Sequence, residues 1–208
     1  MFLINPNGIV FGAGAQIDTA GLVASSLNLS NQDFLAGRSR FTETPGAGKV
    51  INQGKINAPG GPVYLIAPNV ENSGIITAAG GEIILAAGKS VQLVDPQSPD
   101  VRIEITAPAN QAVNVGSLIA ERGHVGIYAG MIRNSGTIRA NTAGLNEKGE
   151  VVLMAKKDIT LDKTSVITAN GPQGGKITIQ SEGTATIAGT IEAKGSPLPP
   201  GAHRVPHF

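Results

Sequence analysis

VINQGKINAPGGPVYLIA (residues 50–67) is repeated twenty residues later, without a gap, as VENSGIITAAGGEIILAA (residues 70–87). Later parts of the chain carry the same phrase in altered form, for example NVGSLIAERGHVGIYA (residues 114–129) and SVITANGPQGGKITIQS (residues 165–181). Self-similarity at such a period is typical of solenoid proteins, in which each repeat packs only on its neighbours. The sequence therefore predicts a stack of similar coils, each of about twenty residues.

Apolar and polar residues alternate within each copy, as they do in a β-strand that is buried on one face. When the copies are aligned, one column is always Ile or Leu, and the column two residues later is always Ala. Gly residues separate this strand from a second apolar strand. The Gly frequency and β-branched content disfavour helices, so we predict an all-β parallel β-helix with three short strands per coil. The inward columns are Ile56, Ile76, Leu118, Ile138, Ile167 and Ile191, and Ala58, Ala78, Ala120, Ala140, Ala169 and Ala193.

An Asn recurs two residues before a Gly, ahead of the first strand of several copies. In stacked coils these side-chain amides lie one above another and hydrogen-bond along the stack, as Asn ladders do in cross-β structures. We predict a structural ladder at Asn52, Asn72, Asn114 and Asn134.

Departures from the repeat divide the chain into three parts. Residues 1–49 precede the regular coils and contain the turn sequence NPNG, and residues 50–195 form the coils. Residues 196–208 are a Pro-rich tail that we expect to be unstructured. Within the coils, residues 94–113 have an alternation of their own, which predicts an extra-helical β insertion.

The composition argues against several classes of function. The formal charge is +1 and no basic run is interleaved with aromatic residues, which disfavours a nucleic-acid partner. The chain contains no Cys, so disulfides and thiolate metal sites are excluded. The Asp residues are scattered over different coil positions instead of forming the paired carboxylates that a glycosidase needs. We therefore predict no catalytic residues, no metal site and no cofactor.

The order of the motifs resembles that of a known family. NPNGIVFG (residues 5–12) comes first, AQIDTAGLVASSLNLS (residues 15–30) follows, and ITAPANQAVNVG (residues 105–116) comes after the first Asn-Gly coils. This order resembles the secretion domain of two-partner secretion exoproteins, the filamentous haemagglutinin family, and is most similar to the high-molecular-weight adhesins. The resemblance covers most of residues 2–145. It implies a right-handed parallel β-helix with extra-helical β elements.

The resemblance also implies a function. Such domains engage the periplasmic domains of a dedicated outer-membrane β-barrel transporter. Their proteins are secreted to the surface of a Gram-negative bacterium, where the full-length adhesin binds a host surface or extracellular matrix. Family members begin with a signal peptide and further strands that do not precede Met1 here, so we expect an N-terminally truncated form whose open first coil either self-associates or has a nonstandard cap. The residues that match the family's secretion motif are Asn5, Pro6, Asn7, Gly8 and Ile9.

Two further features leave alternatives open. The outward column of the second strand is apolar, which favours either a partner surface or a cover formed by residues 101–105. Asn28 lies in the sequon Asn28-Leu29-Ser30, which is either a glycosylation site or a strand-end Asn. The outward column consists of Tyr64, Ile66, Ile84, Tyr128, Val152 and Met154.

We therefore expect a noncatalytic secretion and adhesion module at the start of a β-helical adhesin shaft. One alternative is a parallel β-helix carbohydrate-active enzyme, either a polysaccharide lyase or a hydrolase, which predicts a groove with paired carboxylates on one face. The other alternative is a remnant of an adhesin gene that is not exported.

Overall fold

The computed structural model describes residues 1–93, 109–144 and 147–196 of the chain. These residues form short β-strands and one five-residue helix. In chain order the elements are β1 (Phe2–Ile4), β2 (Ile9–Phe11), β3 (Gln16–Asp18), β4 (Leu22–Ser25), β5 (Asn28–Leu29), α1 (Asn31–Leu35), β6 (Ser39–Thr42), β7 (Val50–Asn52), β8 (Lys55–Asn57), β9 (Pro62–Ala67), β10 (Val70–Asn72), β11 (Ile75–Thr77), β12 (Glu82–Ala87), β13 (Ser90–Leu93), β14 (Gln111–Asn114), β15 (Ser117–Ile119), β16 (His124–Ala129), β17 (Met131–Asn134), β18 (Thr137–Arg139), β19 (Glu150–Ala155), β20 (Ile159–Leu161), β21 (Val166–Thr168), β22 (Lys176–Ser181), β23 (Ala185–Ile187) and β24 (Thr190–Glu192).

Three parallel sheets form the walls of the molecule, and each has seven strands in the described part of the chain. Sheet A has the order β1-β4-β9-β12-β16-β19-β22, sheet B the order β2-β7-β10-β14-β17-β20-β23, and sheet C the order β3-β8-β11-β15-β18-β21-β24. Each complete coil contributes one strand to each sheet, so neighbouring coils pair in parallel along all three walls. Val50 pairs with Val70, which reproduces the twenty-residue period. The predicted parallel β-helix is confirmed.

The interior is a stack of aliphatic side chains that follows the predicted inward columns. Ile56, Ile76 and Leu118 are at most 1% exposed, and the matching Ala residues of the same coils are fully buried. Burial of each such Ile or Leu side chain stabilises the folded state by roughly 1.5–3 kcal/mol. Ile191 is 37% exposed because it lies in the last described coil, beyond which no described strand packs.

The Asn ladder runs through the interior where sheet B turns towards sheet C. The Asn52 Nδ2 donates to the Asn72 Oδ1 at 2.8 Å, and the Asn72 Nδ2 donates in turn to the Asn114 Oδ1 at 2.8 Å. The Asn114 Nδ2 then donates to the Asn134 Oδ1 at 2.7 Å. All four side chains are fully buried, so each bond satisfies amide groups that water does not reach. The hydroxyl of Ser165 accepts from Asn134 and takes the place of an Asn in the following coil.

A fourth, smaller sheet covers the outer face of sheet A. Sheet D is antiparallel, with the order β13-β6-β5. Its apolar side packs against the outward side chains of sheet A in a cluster separate from the interior. From sheet D and the segment that leads into it, the cluster contains Leu27, Leu29, Phe41 and Val91; from sheet A it contains Val23, Ile66, Ile84, Ala86 and Tyr128.

Of the two alternatives for the outward column, an exposed partner surface is not found: three of its six residues are buried and the other three are half-buried. Ile66 and Ile84 are fully buried and Tyr128 is 9% exposed, because sheet D lies over them. Three others, Tyr64, Val152 and Met154, are half-buried against the same cluster. The alternative cover, residues 101–105, lies outside the described residues.

The coils also begin earlier than the predicted boundary at residue 50. Strands β2, β3 and β4 pair in register with β7, β8 and β9, so the first coil lies within residues 1–49. At the insertion, β14 already belongs to sheet B from Gln111 onward. Residues 94–108 and 197–208, which contain most of the insertion and nearly all of the tail, lie outside the described residues. Within the described ranges, no helix has the length and apolar character needed to cross a membrane.

Candidate secretion-motif corner

The NPNG sequence forms the tight corner between β1 and β2 that its composition predicts. The Asn7 backbone N–H donates to the Asn5 Oδ1 at 3.1 Å, and the Gly8 N–H donates to the Asn5 carbonyl oxygen at 3.0 Å. Pro6 fixes its own φ between these two bonds, and Gly8 has a φ of +107°, which L side chains rarely adopt. Asn5 therefore closes the turn with both its side chain and its backbone.

The corner is stacked directly on a second turn, residues 46–49, in the next coil. The Gly48 N–H donates to the Pro6 carbonyl oxygen at 2.8 Å, and the Ile9 N–H donates to the Lys49 carbonyl oxygen at 2.9 Å. A Cβ at position 48 would lie 2.3 Å from the Asn7 carbonyl oxygen, closer than any real Cβ contact. Only Gly fits at this position without a shift of the backbone.

Two buried serines complete the corner at the point where the chain leaves the first coil. The Asn5 N–H donates to the Ser25 carbonyl oxygen at 3.0 Å. The Ser26 hydroxyl donates to the Gly48 carbonyl oxygen at 2.7 Å, and both serines are fully buried. Three segments that are distant in sequence therefore meet here: the motif, the exit from the first coil, and the return to the second coil.

The five predicted motif residues divide into an exposed part and a buried part. Asn5, Pro6 and Asn7 are exposed, Gly8 is half-buried, and Ile9 is 7% exposed within the interior. The Asn5 side chain is used by the turn, whereas no hydrogen bond between described residues involves the Asn7 side chain. Two asparagines of one motif are thus suited to different tasks, one to hold the turn and the other to contact something outside it.

Sequence reasoning identified the corner but missed the residues that receive it. Gly48, Ser25 and Ser26 lie outside the repeat, and nothing in their own spacing connects them with NPNG. The available signal was the turn-rich stretch TPGAGK, residues 44–49, which ends where the second coil begins.

Between Ser26 and Gly48 the chain makes an excursion that contains β5, α1 and β6. Ser30 caps α1, because its Oγ accepts from the Asp33 N–H at 3.0 Å and donates to the Asp33 Oδ2 at 2.8 Å. The Arg38 guanidinium, 2.8 Å from the Asp33 Oδ1, and then the Ser30 hydroxyl lower the pKa of the Asp33 carboxyl. Asn28 is exposed in β5. Ser30, the hydroxyl residue of its sequon, forms the cap of α1.

The ionisable groups on the outer face of sheet A lie next to one another in pairs. The Tyr64 hydroxyl donates to the Glu82 Oε2 at 2.5 Å, and burial and this carboxylate raise the pKa of Tyr64. Burial, with Glu82 and Glu150 nearby, raises the pKa of Tyr128 to about 12, so both phenols stay protonated at neutral pH. His124, at the start of β16, lies 3.6 Å from the Glu150 carboxylate. Over the ranges that the structure covers, no group of three or more His, Asp or Glu side chains is placed to hold a metal ion.

Comparison with known proteins gives the family. The chain matches the TPS secretion domain family over residues 1–179. It belongs to the two-partner secretion domain family. This secretion domain carries, at residues 5–9, the corner that the resemblance pointed to, and the predicted family is confirmed.

Individual relatives agree with this assignment. The secretion domain superposes on the crystal structure of the HMW1 secretion domain from Haemophilus influenzae with a TM-score of 0.81 and 31% sequence identity, over 93% of this chain and 63% of that chain. It is 29% identical over 157 residues to a heme/hemopexin-binding protein of Haemophilus influenzae, which covers 72% of this chain and 15% of that protein. The chain therefore spans a small part of the curated relative and less than two thirds of the solved domain.

Proposed function

We propose that this secretion domain is a noncatalytic module that engages the outer-membrane transporter of a two-partner system, and that the corner at residues 5–9 determines export. The observation that carries the proposal is the difference between the two asparagine side chains of the corner. Asn5 closes the turn, while the exposed Asn7 side chain makes no hydrogen bond with another described residue. A rigid turn that presents a free amide offers a partner both a donor and an acceptor at little entropic cost.

The proposal extends to the protein of which this domain is a part. The coils would form the first section of a β-helical adhesin shaft on the surface of a Gram-negative bacterium. The uniform register of the coils supports this, because each coil presents strand edges on which a further coil can pair. Attachment to a host surface, glycosylation of Asn28 and self-association through the exposed strand β1 belong to the same proposal.

Export of two single variants tests the role of the corner. The chain is expressed with a signal peptide and the cognate transporter, and the culture medium is compared for wild type, Asn5→Ala and Asn7→Ala. We expect both variants to lower export at least fivefold. Only Asn5→Ala should also lower the free energy of unfolding, by about 1 kcal/mol, because it removes the side-chain bond that closes the turn.

A matched control separates this effect from the loss of any exposed amide. Asn57 is an Asn on the outer face of sheet C whose Nδ2 donates to the Asp18 Oδ1 at 3.0 Å. Asn57→Ala should be exported like wild type. Normal export of both corner variants would refute the proposal. Retention of the wild-type chain itself would favour the unexported remnant.

A further inference from the structure

We propose that Gly48 is a positioning residue of the secretion motif, so that the motif has two parts: the NPNG corner and the turn at residues 46–49 that receives it. This inference rests on the proposed function of the corner and adds a determinant about forty residues further along the chain. Its basis is the contact geometry at Gly48 and the path of the excursion that ends there.

Gly48 contacts the corner with its backbone alone. Its N–H donates to the Pro6 carbonyl oxygen, and its Cα lies so close to Asn7 that an added Cβ would be 2.3 Å from the Asn7 oxygen and 2.6 Å from the Asn7 carbonyl carbon. The clash would be with backbone atoms of the motif, which no change of rotamer can relieve. Any side chain at position 48 must therefore displace the NPNG corner from its packing position on residues 46–49.

The same glycine closes the excursion. Its carbonyl oxygen accepts from the Ser26 hydroxyl, so the two ends of the loop formed by residues 26–48 are joined at the corner. Ordering a loop of this length costs conformational entropy that the closing contacts have to offset. The packed corner contributes one of these contacts, because the Pro6 carbonyl oxygen accepts from the Gly48 N–H. Closure of the loop and packing of the corner on residues 46–49 therefore stabilise each other.

A consequence concerns the order of events during export. The corner cannot reach its folded form until residues 46–49 are free to pack on it. Until then the NPNG turn is held only by its own two hydrogen bonds to Asn5, and the excursion has no fixed end from which sheet D can dock on sheet A. The second part of the motif thus connects transporter engagement with the first folding step of the emerging chain.

The regular coils provide a variant with a matched backbone clash. A Cβ at Gly116 would lie 2.0 Å from the Gly74 carbonyl oxygen, in a corner between two ordinary coils. Gly116→Ala should therefore destabilise the fold about as much as Gly48→Ala while leaving the NPNG corner intact. A second control is Gly14→Ala, since no heavy atom lies within 4 Å of a Cβ there and its φ is not positive.

The test measures export and thermal stability side by side for Gly48→Ala, Gly116→Ala and Gly14→Ala, with Asn5→Ala as the reference for the corner. We expect Gly48→Ala to reduce export at least fivefold, as Asn5→Ala does. Gly116→Ala should lower Tm by a similar amount with export within twofold of wild type. Ser26→Ala, which removes a single hydroxyl, is the milder variant in case Gly48→Ala does not fold, and it should reduce export about threefold.

The outcomes are distinguishable. Equal losses of export in Gly48→Ala and Gly116→Ala would show that Gly48 acts through general stability alone, and the inference would be wrong. Loss of export in Asn5→Ala but not in Gly48→Ala or Ser26→Ala would overturn the two-part motif and leave the proposed function standing. Normal export of Asn5→Ala and Asn7→Ala would overturn the proposed function, and the inference with it.

Discussion

All coils pair along the same three walls, but the first coil also has contacts of a kind that the second and third coils lack. In the second and third coils like meets like: Val50 pairs with Val70, and Asn52 bonds to Asn72. In the first coil, Gly48 binds Pro6 and Ser26, residues of unlike type from unlike positions. Like-with-like contacts allow any coil to stack on any other. Unlike contacts identify one place in the chain, which suits the role that we propose for this corner.

A cavity beneath sheet D should affect the first coil's excursion more than the stack. Phe41 is fully buried and pairs with Leu29 on one side and Val91 on the other. Phe41→Ala should cost about 3–5 kcal/mol, because it empties the centre of the outer cluster. We expect sheet D to detach before the coils unfold, so limited proteolysis should cut within residues 26–49 while the coils stay intact.

The companion variant is Leu85→Ala, at a fully buried position inside the stack. It should cost about 2–5 kcal/mol and unfold the coils together with the excursion, without preferential cleavage. If Phe41→Ala instead gives one cooperative transition and no local cleavage, the excursion and the stack form a single folding unit.

Breaking the ladder should have a smaller but global effect. Asn72 donates to Asn114 and accepts from Asn52, so Asn72→Ala removes the donor to the buried Asn114 Oδ1 and leaves the Asn52 Nδ2 with only its 3.4 Å bond to the Gly54 carbonyl oxygen. The expected loss in the free energy of unfolding is about 2–3 kcal/mol, measured by urea denaturation. The control is Asn57→Ala, on the solvated face of sheet C, which should change stability by less than about 0.5 kcal/mol. Equal losses in the two variants would mean that the ladder contributes no more than a surface amide.

The smallest effect should come from placing Gly at a corner where one coil has a non-Gly residue with positive φ. The corners after β8 and β11 have Gly60 and Gly80 at φ +73° and +71°, and the equivalent residue of the next coil is Arg122 at φ +63°. Arg122→Gly should raise the free energy of unfolding by about 0.5–1 kcal/mol, since a non-Gly residue is strained there. Its exposed ion pair with Glu147 contributes little.

The measurement is urea denaturation in high salt, which screens the ion pair. Arg133→Gly, at an exposed position within β17, is the control and should destabilise by about 0.5–1 kcal/mol because Gly weakens a strand. A loss of stability in Arg122→Gly would mean that the Arg122 side chain contributes more than its backbone strain costs.

The comparison also explains how far the sequence could predict this structure. The interior columns and the ladder were predictable because equivalent residues of successive repeats are neighbours in space. Ile56 and Ile76, for example, lie twenty residues apart and pack together. Sheet D was not, because β5 and β6 have no counterpart in the other coils and β13 reads as part of a coil. The sequence therefore left two alternatives for Ile66 and Ile84, a partner surface or a cover by residues 101–105, and did not indicate that sheet D covers them.

The candidate site shows the same limit. NPNG was visible because Asn, Pro and Gly together specify a turn within four residues. Its seat at Gly48 was not visible, because a glycine chosen for a close backbone approach looks the same in a sequence as one chosen for a loop. Only the three-dimensional path of the excursion brings the two turns together.

The register of the coils has a mechanical consequence. Every strand of the three walls runs across the axis of the stack. Tension applied along that axis therefore loads the hydrogen bonds of the coil at one end before those of the next coil. Under tension the coils would unfold one at a time, starting from the end of the stack. Each released coil of about twenty residues would have an extended length of roughly 66–72 Å. A tether built in this way would dissipate sudden pulling in small steps and would rewind when the force falls, because each remaining coil is a template for the one that was lost.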